Sequence, residues 1–112
     1  MARGDVLLVN LPPSRRREQS GRRAVVAVQT DIAGEPMLMI APITSNLGAL
    51  RFAFSVRVEP SPDNGLTSPS VVMIFQMRAI DKSRIIRKLG QLSPADMERI
   101  DAEIWSMLKP PD

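Results

Sequence analysis

The apolar residues of this chain lie in short runs separated by turn-forming residues, and this spacing limits the fold more than any other feature. The runs cover residues 5–11, 24–29, 37–43, 52–58, 71–79 and 88–92. Runs of this length are typical of β-strands, and residues 52–58 also alternate as a half-buried strand does. Pro12-Pro13 ends the first run, since proline has no N–H to donate to a sheet ladder. The pattern predicts about six short strands, with 71–79 as the longest.

The last segment of the chain changes to a helical period. Ser93 can cap a helix, Pro94 suits its first position, and Asp96 follows three residues after the cap. The apolar residues beyond the cap recur at helical spacing: Met97, Ile100, Ile104, Met107 and Leu108. Trp105 is expected to pack with this helix. We therefore predict one domain over residues 1–112, mostly β (α+β), as a small bent barrel or sheet with a C-terminal amphipathic helix alongside.

Cys and His are both absent from the chain. Their absence excludes disulfides, thiolate nucleophiles, zinc sites built on these residues, and acid–base catalysis by imidazole. A magnesium site built on carboxylates alone remains open, but the carboxylates are scattered along the sequence, so the prediction is no metal and no cofactor. The apolar runs are far shorter than the roughly 20 residues of a membrane span, and the first residues do not resemble a secretory signal. We expect a cytoplasmic protein that does not bind a membrane.

The positive charge is concentrated near the start of the chain. The formal net charge is +3, and residues 1–30 hold six arginines against two acidic residues. Half of these arginines are consecutive, at Arg15, Arg16 and Arg17, in a polar segment between the first two predicted strands. A local patch of this kind favours a polyanion as partner.

Several motifs of the chain together resemble one known family. They are Arg3-Gly-Asp-Val6, Asn10-Leu-Pro12, Glu18-Gln-Ser-Gly-Arg-Arg23, Ala41-Pro-Ile-Thr-Ser-Asn46, Asn64-Gly-Leu66, Ser70-Val-Val-Met-Ile-Phe-Gln76, Arg78-Ala-Ile-Asp-Lys-Ser83 and Leu89-Gly-Gln-Leu-Ser93. Each motif alone is weak, but the ordered set covers nearly the whole chain and resembles the MazF/PemK toxins of type II toxin–antitoxin systems.

The resemblance implies an SH3-like β-barrel of the MazF/PemK/CcdB type that acts as a homodimer. It also implies a metal-independent endoribonuclease that cuts single-stranded mRNA at preferred sequences and leaves a 2′,3′-cyclic phosphate and a 5′-hydroxyl. A cognate antitoxin protein is the expected partner. The family's catalytic Arg and Thr fall on Arg23 and Thr44, and a less uniform participant falls on Glu18. The chain departs from the family pattern at Ala24, where Pro usually follows the catalytic Arg.

The chemistry of such a cleavage gives each of these residues a role. The planar guanidinium of Arg23 would bind the phosphorane oxygens, and Thr44 would donate its hydroxyl to a phosphate oxygen or position O2′. Because arginine is effectively never deprotonated in proteins, the general base is either Glu18 or a bound water.

Polar and basic residues around these motifs are the predicted RNA contacts. They are Arg15, Arg16, Arg17, Arg22, Ser45, Asn46, Gln76 and Arg78. For Gln76 an RNA contact and a structural hydrogen bond to the backbone are equally compatible with the sequence. Extensive base stacking is not expected, because aromatic residues make up only 4% of the chain.

Two other functions fit parts of the sequence. A CcdB-like poison of DNA gyrase would share the fold and act through the C-terminal helix. A non-catalytic SH3-like module would bind nucleic acid without cutting it, with an affinity that falls as salt rises. Incubation of the protein with RNA and with gyrase separates these alternatives.

Overall fold

Seven strands and one α-helix make up the regular structure in the part of the chain that the computed structural model describes, residues 1–12 and 21–111. The strands are β1 (Asp5–Leu11), β2 (Gly21–Ala27), β3 (Met37–Thr44), β4 (Ser55–Val58), β5 (Ser70–Met73), β6 (Arg78–Asp81) and β7 (Ile85–Gln91). The helix α1 spans Pro94–Leu108, and short 3₁₀ turns lie at Leu47–Arg51, Ile74–Gln76 and Lys82–Arg84. The predicted mostly β (α+β) class with one C-terminal helix is confirmed.

The strands form one antiparallel sheet in the order β4-β5-β3-β2-β1-β7, and β6 also pairs with β3. β3 is the central strand, because it pairs with β2 along one edge and with β6 and then β5 along the other. The sheet bends around it. The predicted α+β class with a bent sheet is confirmed, but the closed SH3-like barrel that the resemblance implied is not, because among the described residues the sheet is open between β4 and β7.

The prediction of one strand over residues 71–79 was wrong, because the sheet bends there. Ile43 pairs with Val72 and Ile40 pairs with Arg78, so an advance of three residues along β3 corresponds to six residues in the segment that pairs with it. The additional residues of this segment form the 3₁₀ turn Ile74–Gln76, after which the segment pairs with β3 again as β6.

The predicted strand over residues 52–58 begins only at Ser55. The residue before it, Phe54, has a φ of 60°, a left-handed conformation that interrupts an extended strand. The β2 and β7 strands begin three residues earlier than the runs at 24–29 and 88–92 indicated. In β2 the three extra residues, Gly21, Arg22 and Arg23, are exposed, and an apolar pattern does not mark exposed strand residues. In β7 the extra residues begin with Ile85 and Ile86, two apolar residues that the predicted start at 88 left out.

The core has two main parts on opposite faces of the sheet. One lies under α1, where Met97 and Ile100 pack against strand residues such as Val6 and Val26. The other includes Leu7 and its neighbours from β1, β2, β3 and β6. Full burial of a large aliphatic side chain stabilises a fold by about 1.5–3 kcal/mol, so these residues hold the strands that carry the site.

The start of α1 matches its sequence prediction. Ser93 Oγ accepts a hydrogen bond of 3.1 Å from the Asp96 N–H, and Pro94 occupies the first turn. Trp105 does not pack as expected: it is 68% exposed, as Leu108 is at 63%. Within residues 1–12 and 21–111, no helix combines the length and apolar content that a membrane crossing requires.

Candidate active site

β2 and β3 diverge at the point where the two predicted catalytic residues lie. Their pairing ends at Val25 and Pro42, and Pro42 has no N–H to donate. Beyond this pair β2 stays with β1, where Arg23 pairs with Val9, and β3 stays with β5. Continuing the β2–β3 register by two residues places Arg23 opposite Thr44. The gap between the diverging strands forms a cleft.

This cleft, which we call the Arg23 cleft, has a volume of about 280 Å³. Its lining comes from the two diverging strands, from β7 and from the segment before β5: Arg22, Arg23, Ala24, Ile43, Thr44, Ser45, Gly65, Leu66, Thr67, Ser68, Ser70 and Leu89. Apolar side chains form part of its wall, and the polar groups converge from several elements. Arg23 and Thr44 therefore share one groove, as cooperation at a single phosphate requires.

Thr44 is half-buried, and a local turn orients its hydroxyl. Its Oγ1 accepts a hydrogen bond of 3.2 Å from the Asn46 N–H. A hydroxyl has two acceptor lone pairs and one proton, so this contact leaves the proton for another acceptor. Asn46 Oδ1 in turn accepts from the Gly48 N–H at 3.0 Å and caps the 3₁₀ turn Leu47–Arg51. The turn thus holds Thr44 as a donor at the cleft edge.

A tight turn before β5 forms the opposite wall. Asn64 is buried, and its side chain donates to the Glu59 carbonyl and accepts from the N–H groups of Ser61 and Leu66. Gly65 follows at φ +71°, with the position of a Cβ only 2.3 Å from the Leu89 carbonyl oxygen. The Asn64-Gly-Leu66 motif therefore has a structural role, because it seats this wall against β7.

A second cleft, which we call the aromatic cleft, begins on the other side of Thr44. It has a volume of about 460 Å³ and is lined by Thr44, Asn46, Gly48, Ala49, Arg51, Phe52, Met73, Phe75 and Gln76. The rings of Phe52 and Phe75 lie 5.0 Å apart, and the Arg51 guanidinium lies 4.7 Å from the Phe52 ring centroid. The sequence alone does not mark these three residues as candidates, since both phenylalanines lie in predicted strands.

The described candidates lie in the Arg23 cleft, in the aromatic cleft, and in a depression that shares residues with the aromatic cleft. Arg22 and Ser45 line the Arg23 cleft, and Asn46 and Gln76 line the aromatic cleft. Arg78 shares a further depression with Gln76. The remaining candidates lie outside the described residues: Glu18, Arg15, Arg16 and Arg17.

The charged side chains that line the two clefts are positive among the described residues. None of the described residues that line the Arg23 cleft or the aromatic cleft is acidic, whereas Arg22, Arg23 and Arg51 are basic. A groove lined in this way attracts a phosphodiester chain. Among residues 1–12 and 21–111, no group of three or more carboxylates is arranged to hold a metal ion.

Known proteins resemble this chain in sequence and in fold. Residues 2–108 match the family model of the PemK-like, MazF-like toxin of type II toxin–antitoxin systems. The Endoribonuclease MazF of Staphylococcus saprophyticus is 35% identical over 106 residues, which cover 93% of this chain and 88% of that protein.

Two solved structures illustrate the likeness in fold. MazF from Deinococcus radiodurans superposes with a TM-score of 0.80 at 21% identity, over 98% of this chain and 97% of that one. An endoribonuclease from a mycobacterial species, solved in complex with its cognate antitoxin, gives a TM-score of 0.77 at 18% identity, over 100% and 98% of the two chains. With the family match spanning most of its length, this chain belongs to the PemK-like, MazF-like toxins of type II toxin–antitoxin systems.

Proposed function

We propose that this chain is the toxin of a toxin–antitoxin pair and an endoribonuclease that cleaves single-stranded mRNA. The observation that carries the proposal is the shared cleft of Arg23 and Thr44, formed where β2 and β3 diverge. The 35% identical relative is named an endoribonuclease, which supports the same activity for this chain.

The reaction is an attack of the RNA's own 2′-hydroxyl on the adjacent phosphorus. The O2′–P bond forms and the P–O5′ bond breaks, which leaves a 2′,3′-cyclic phosphate and a 5′-hydroxyl. The proton of O2′ passes to a base, and the departing O5′ takes up a proton. The nucleophile and the leaving group both belong to the RNA, so the protein has to supply charge stabilisation and proton transfer.

Arg23 and Thr44 supply the charge stabilisation. The guanidinium binds the oxygens of the phosphorane through paired N–H donors and can direct another toward O5′. The Thr44 hydroxyl donates to a phosphate oxygen, because its hydrogen bond from the Asn46 N–H occupies a lone pair and not the proton. A donor preorganised at a developing oxyanion contributes about 3–4 kcal/mol by mutagenesis.

The general base in this proposal is Glu18 or a water molecule held by the cleft. No carboxylate is among the described residues that line the Arg23 cleft. The candidate protein base is Glu18, which the resemblance to the family singles out and which is the only carboxylate of residues 13–20 in the sequence. The same segment contains Arg15, Arg16 and Arg17, which we propose as RNA contacts.

We further propose that the toxin acts in the cytoplasm as a homodimer and is neutralised by a cognate antitoxin. A solved relative is in complex with its cognate antitoxin, which supports this partner. A CcdB-like action on gyrase has less support, because the converging donors of the Arg23 cleft suit a phosphodiester.

Cleavage of a long RNA with defined ends tests the proposal. The purified protein should cut at a few preferred sequences and leave cyclic phosphate and 5′-hydroxyl ends. Arg23→Ala should fold and lose the cleavage, whereas Arg99→Gln, which removes an equal charge from an exposed residue of α1, should retain it. An inactive wild type that inhibits gyrase, or an active Arg23→Ala variant, would overturn the proposal.

A further inference from the structure

The backbone groups of β2 point alternately toward its two neighbouring strands. Val28, directly after β2, donates its N–H to the Met39 carbonyl of β3 at 3.1 Å. One residue earlier, the Ala27 carbonyl accepts from the Gly4 N–H on the β1 side at 2.8 Å. The register of β2 with β1 has no shift, so the alternation continues along the strand. Ala24, four residues before Val28, therefore directs its N–H toward β3.

The N–H of Ala24 has no partner in β3. The pairing of β2 with β3 ends at Val25 and Pro42, one residue before Ala24 is reached. No other hydrogen bond to this N–H is present within residues 1–12 and 21–111. Ala24 is half-buried, and main-chain donors below the surface are nearly always paired with protein or water. The ladder to β1 thus fixes a donor that is left for solvent or a ligand.

This donor lies at the Arg23 cleft. Ala24 lines the cleft together with Arg23 and Thr44. The N–H belongs to the peptide unit that joins Arg23 to Ala24, and it points across the gap toward the end of β3, where Thr44 lies. A guanidinium, a hydroxyl and a peptide N–H therefore border the same space, and none of the described residues that line it is acidic.

We propose that the Ala24 N–H is a further catalytic group, which donates to a non-bridging oxygen of the phosphate at the cut. These oxygens carry more negative charge in the phosphorane than in the diester, so a donor that the ladder already fixes binds the transition state more strongly. The inference rests on the proposed ribonuclease function and adds a donor to its site. Because proline has no N–H, a chain that follows the family pattern at this position lacks the donor that Ala24 supplies.

Amide hydrogen exchange tests whether the donor is unpaired in the free protein and whether RNA binds it. Without RNA, the Ala24 N–H should exchange faster than the Val28 N–H, which is bonded to Met39. An oligonucleotide that carries the mapped cleavage sequence, with 2′-deoxyribose at the cut, binds without being cleaved. Its binding should slow exchange at Ala24 roughly tenfold or more and move the amide proton resonance downfield, as a hydrogen bond to a phosphate oxygen does.

Cleavage kinetics test the catalytic role. Ala24→Pro removes the N–H, and an ester in place of the Arg23–Ala24 peptide bond removes it while keeping the methyl side chain. Both should lower the single-turnover cleavage rate by about a hundredfold, as loss of one oxyanion donor does. Ala24→Gly keeps the N–H and should lose much less. Circular dichroism shows whether each variant is folded.

Sulfur substitution at the phosphate separates a lost hydrogen bond from a distorted cleft. Sulfur in place of one non-bridging oxygen is a weaker acceptor, and the two diastereomers place it at different oxygens. For one diastereomer, the rate penalty of sulfur should be smaller in Ala24→Pro than in Ala24→Gly, because the proline variant no longer donates to that oxygen. A variant that only distorts the cleft would lower the rates of the oxygen and sulfur substrates alike.

An Ala24 amide that is protected in the free protein would overturn the inference, because strand pairing would then already use the N–H. So would folded proline and ester variants that cleave as fast as Ala24→Gly. If the oligonucleotide slows exchange at Ala24 and the wild type never cuts RNA, the proposed function fails while the phosphate contact of Ala24 is supported. If the wild type cuts and exchange at Ala24 does not respond to the oligonucleotide, only the inference fails.

Discussion

Thr44 Oγ1 accepts a hydrogen bond of 3.2 Å from the Asn46 N–H, which leaves the hydroxyl proton of Thr44 for an acceptor in the Arg23 cleft. The contact joins the end of β3 to the 3₁₀ turn Leu47–Arg51, which carries Arg51 of the aromatic cleft. One short turn thus positions groups in both clefts.

Thr44→Val should reduce cleavage at least tenfold, because it removes a donor to the phosphorane while keeping the shape of the side chain. The loss of the Asn46 contact should lower the free energy of unfolding by no more than about 0.5–1.5 kcal/mol. Thr44→Ser, which keeps the hydroxyl, should retain most of the activity. The measurements are kcat/KM on a fluorogenic RNA and urea unfolding. A fully active Thr44→Val variant would remove Thr44 from the mechanism.

Cleavage should be insensitive to EDTA. The chain has no His or Cys, and its described residues contain no cluster of three or more carboxylates that could hold a metal ion. The check is the initial rate on one RNA substrate after dialysis against EDTA, with and without added Mg²⁺. Loss of activity in EDTA that Mg²⁺ restores would contradict the charge-stabilisation mechanism.

Gly65→Ala should destabilise the protein more than Gly34→Ala, although both glycines have positive φ. A Cβ at Gly65 would lie 2.3 Å from the Leu89 carbonyl oxygen, whereas at Gly34 it would meet nothing within 4 Å. The left-handed conformation alone costs about 1–2 kcal/mol in a residue with a Cβ, and at Gly65 the clash adds to it. Urea unfolding of the two variants measures the difference. Equal losses of stability would show that the wall is free to move away from β7.

Asp31 should contribute to stability in a pH-dependent way. Lys82 Nζ lies 2.6 Å from Asp31 Oδ1, and this close contact with the ammonium holds the pKa of Asp31 below its ordinary value of 3.8. Because the folded pKa is the lower one, the contribution is fully present above pH 3.8 and is lost as the pH falls through the folded value.

Asp31→Asn should therefore be less stable than the wild type at pH 7, and the difference should shrink as the pH falls well below 3.8. The check is urea unfolding across this range. In the Asp31→Asn background, Lys82→Gln should lower the free energy of unfolding less than it does in the wild type, because the carboxylate partner of Lys82 is already gone. A stability difference that is independent of pH would contradict this assignment.

The features that the sequence predicted correctly are those set by neighbouring residues. The Ser93 cap, Pro94 and the helical repeat lie within one segment, so their spacing alone predicted α1. The choice of Arg23 and Thr44 as site residues came from the family resemblance and stays a prediction; in the structure both line the Arg23 cleft, where β2 and β3 diverge.

The features that it missed depend on residues far apart in the chain. The strand ends after Met73 because the segment that pairs with β3 has more residues than β3 has over the same length. Residues 71–79 contain no sequence pattern that would show how they pair with β3. Phe52 and Phe75 meet only after β4 and β5 pair. A low aromatic content therefore did not reveal that two of the three phenylalanines lie together. Trp105 is exposed because it falls beside the stripe formed by Ile100, Ile104 and Met107.

The turn Ile74–Gln76 has a consequence for how such a toxin can diversify. It lies between the β5 and β6 pairings, so Phe75 and Gln76 contribute to the groove without belonging to either ladder. No cross-strand pair among the described residues includes either of them. We therefore expect substitutions at these two positions to leave the register of β3 with β5 and β6 unchanged, and with it the placement of Arg23 and Thr44, so that toxins can differ along this part of the groove.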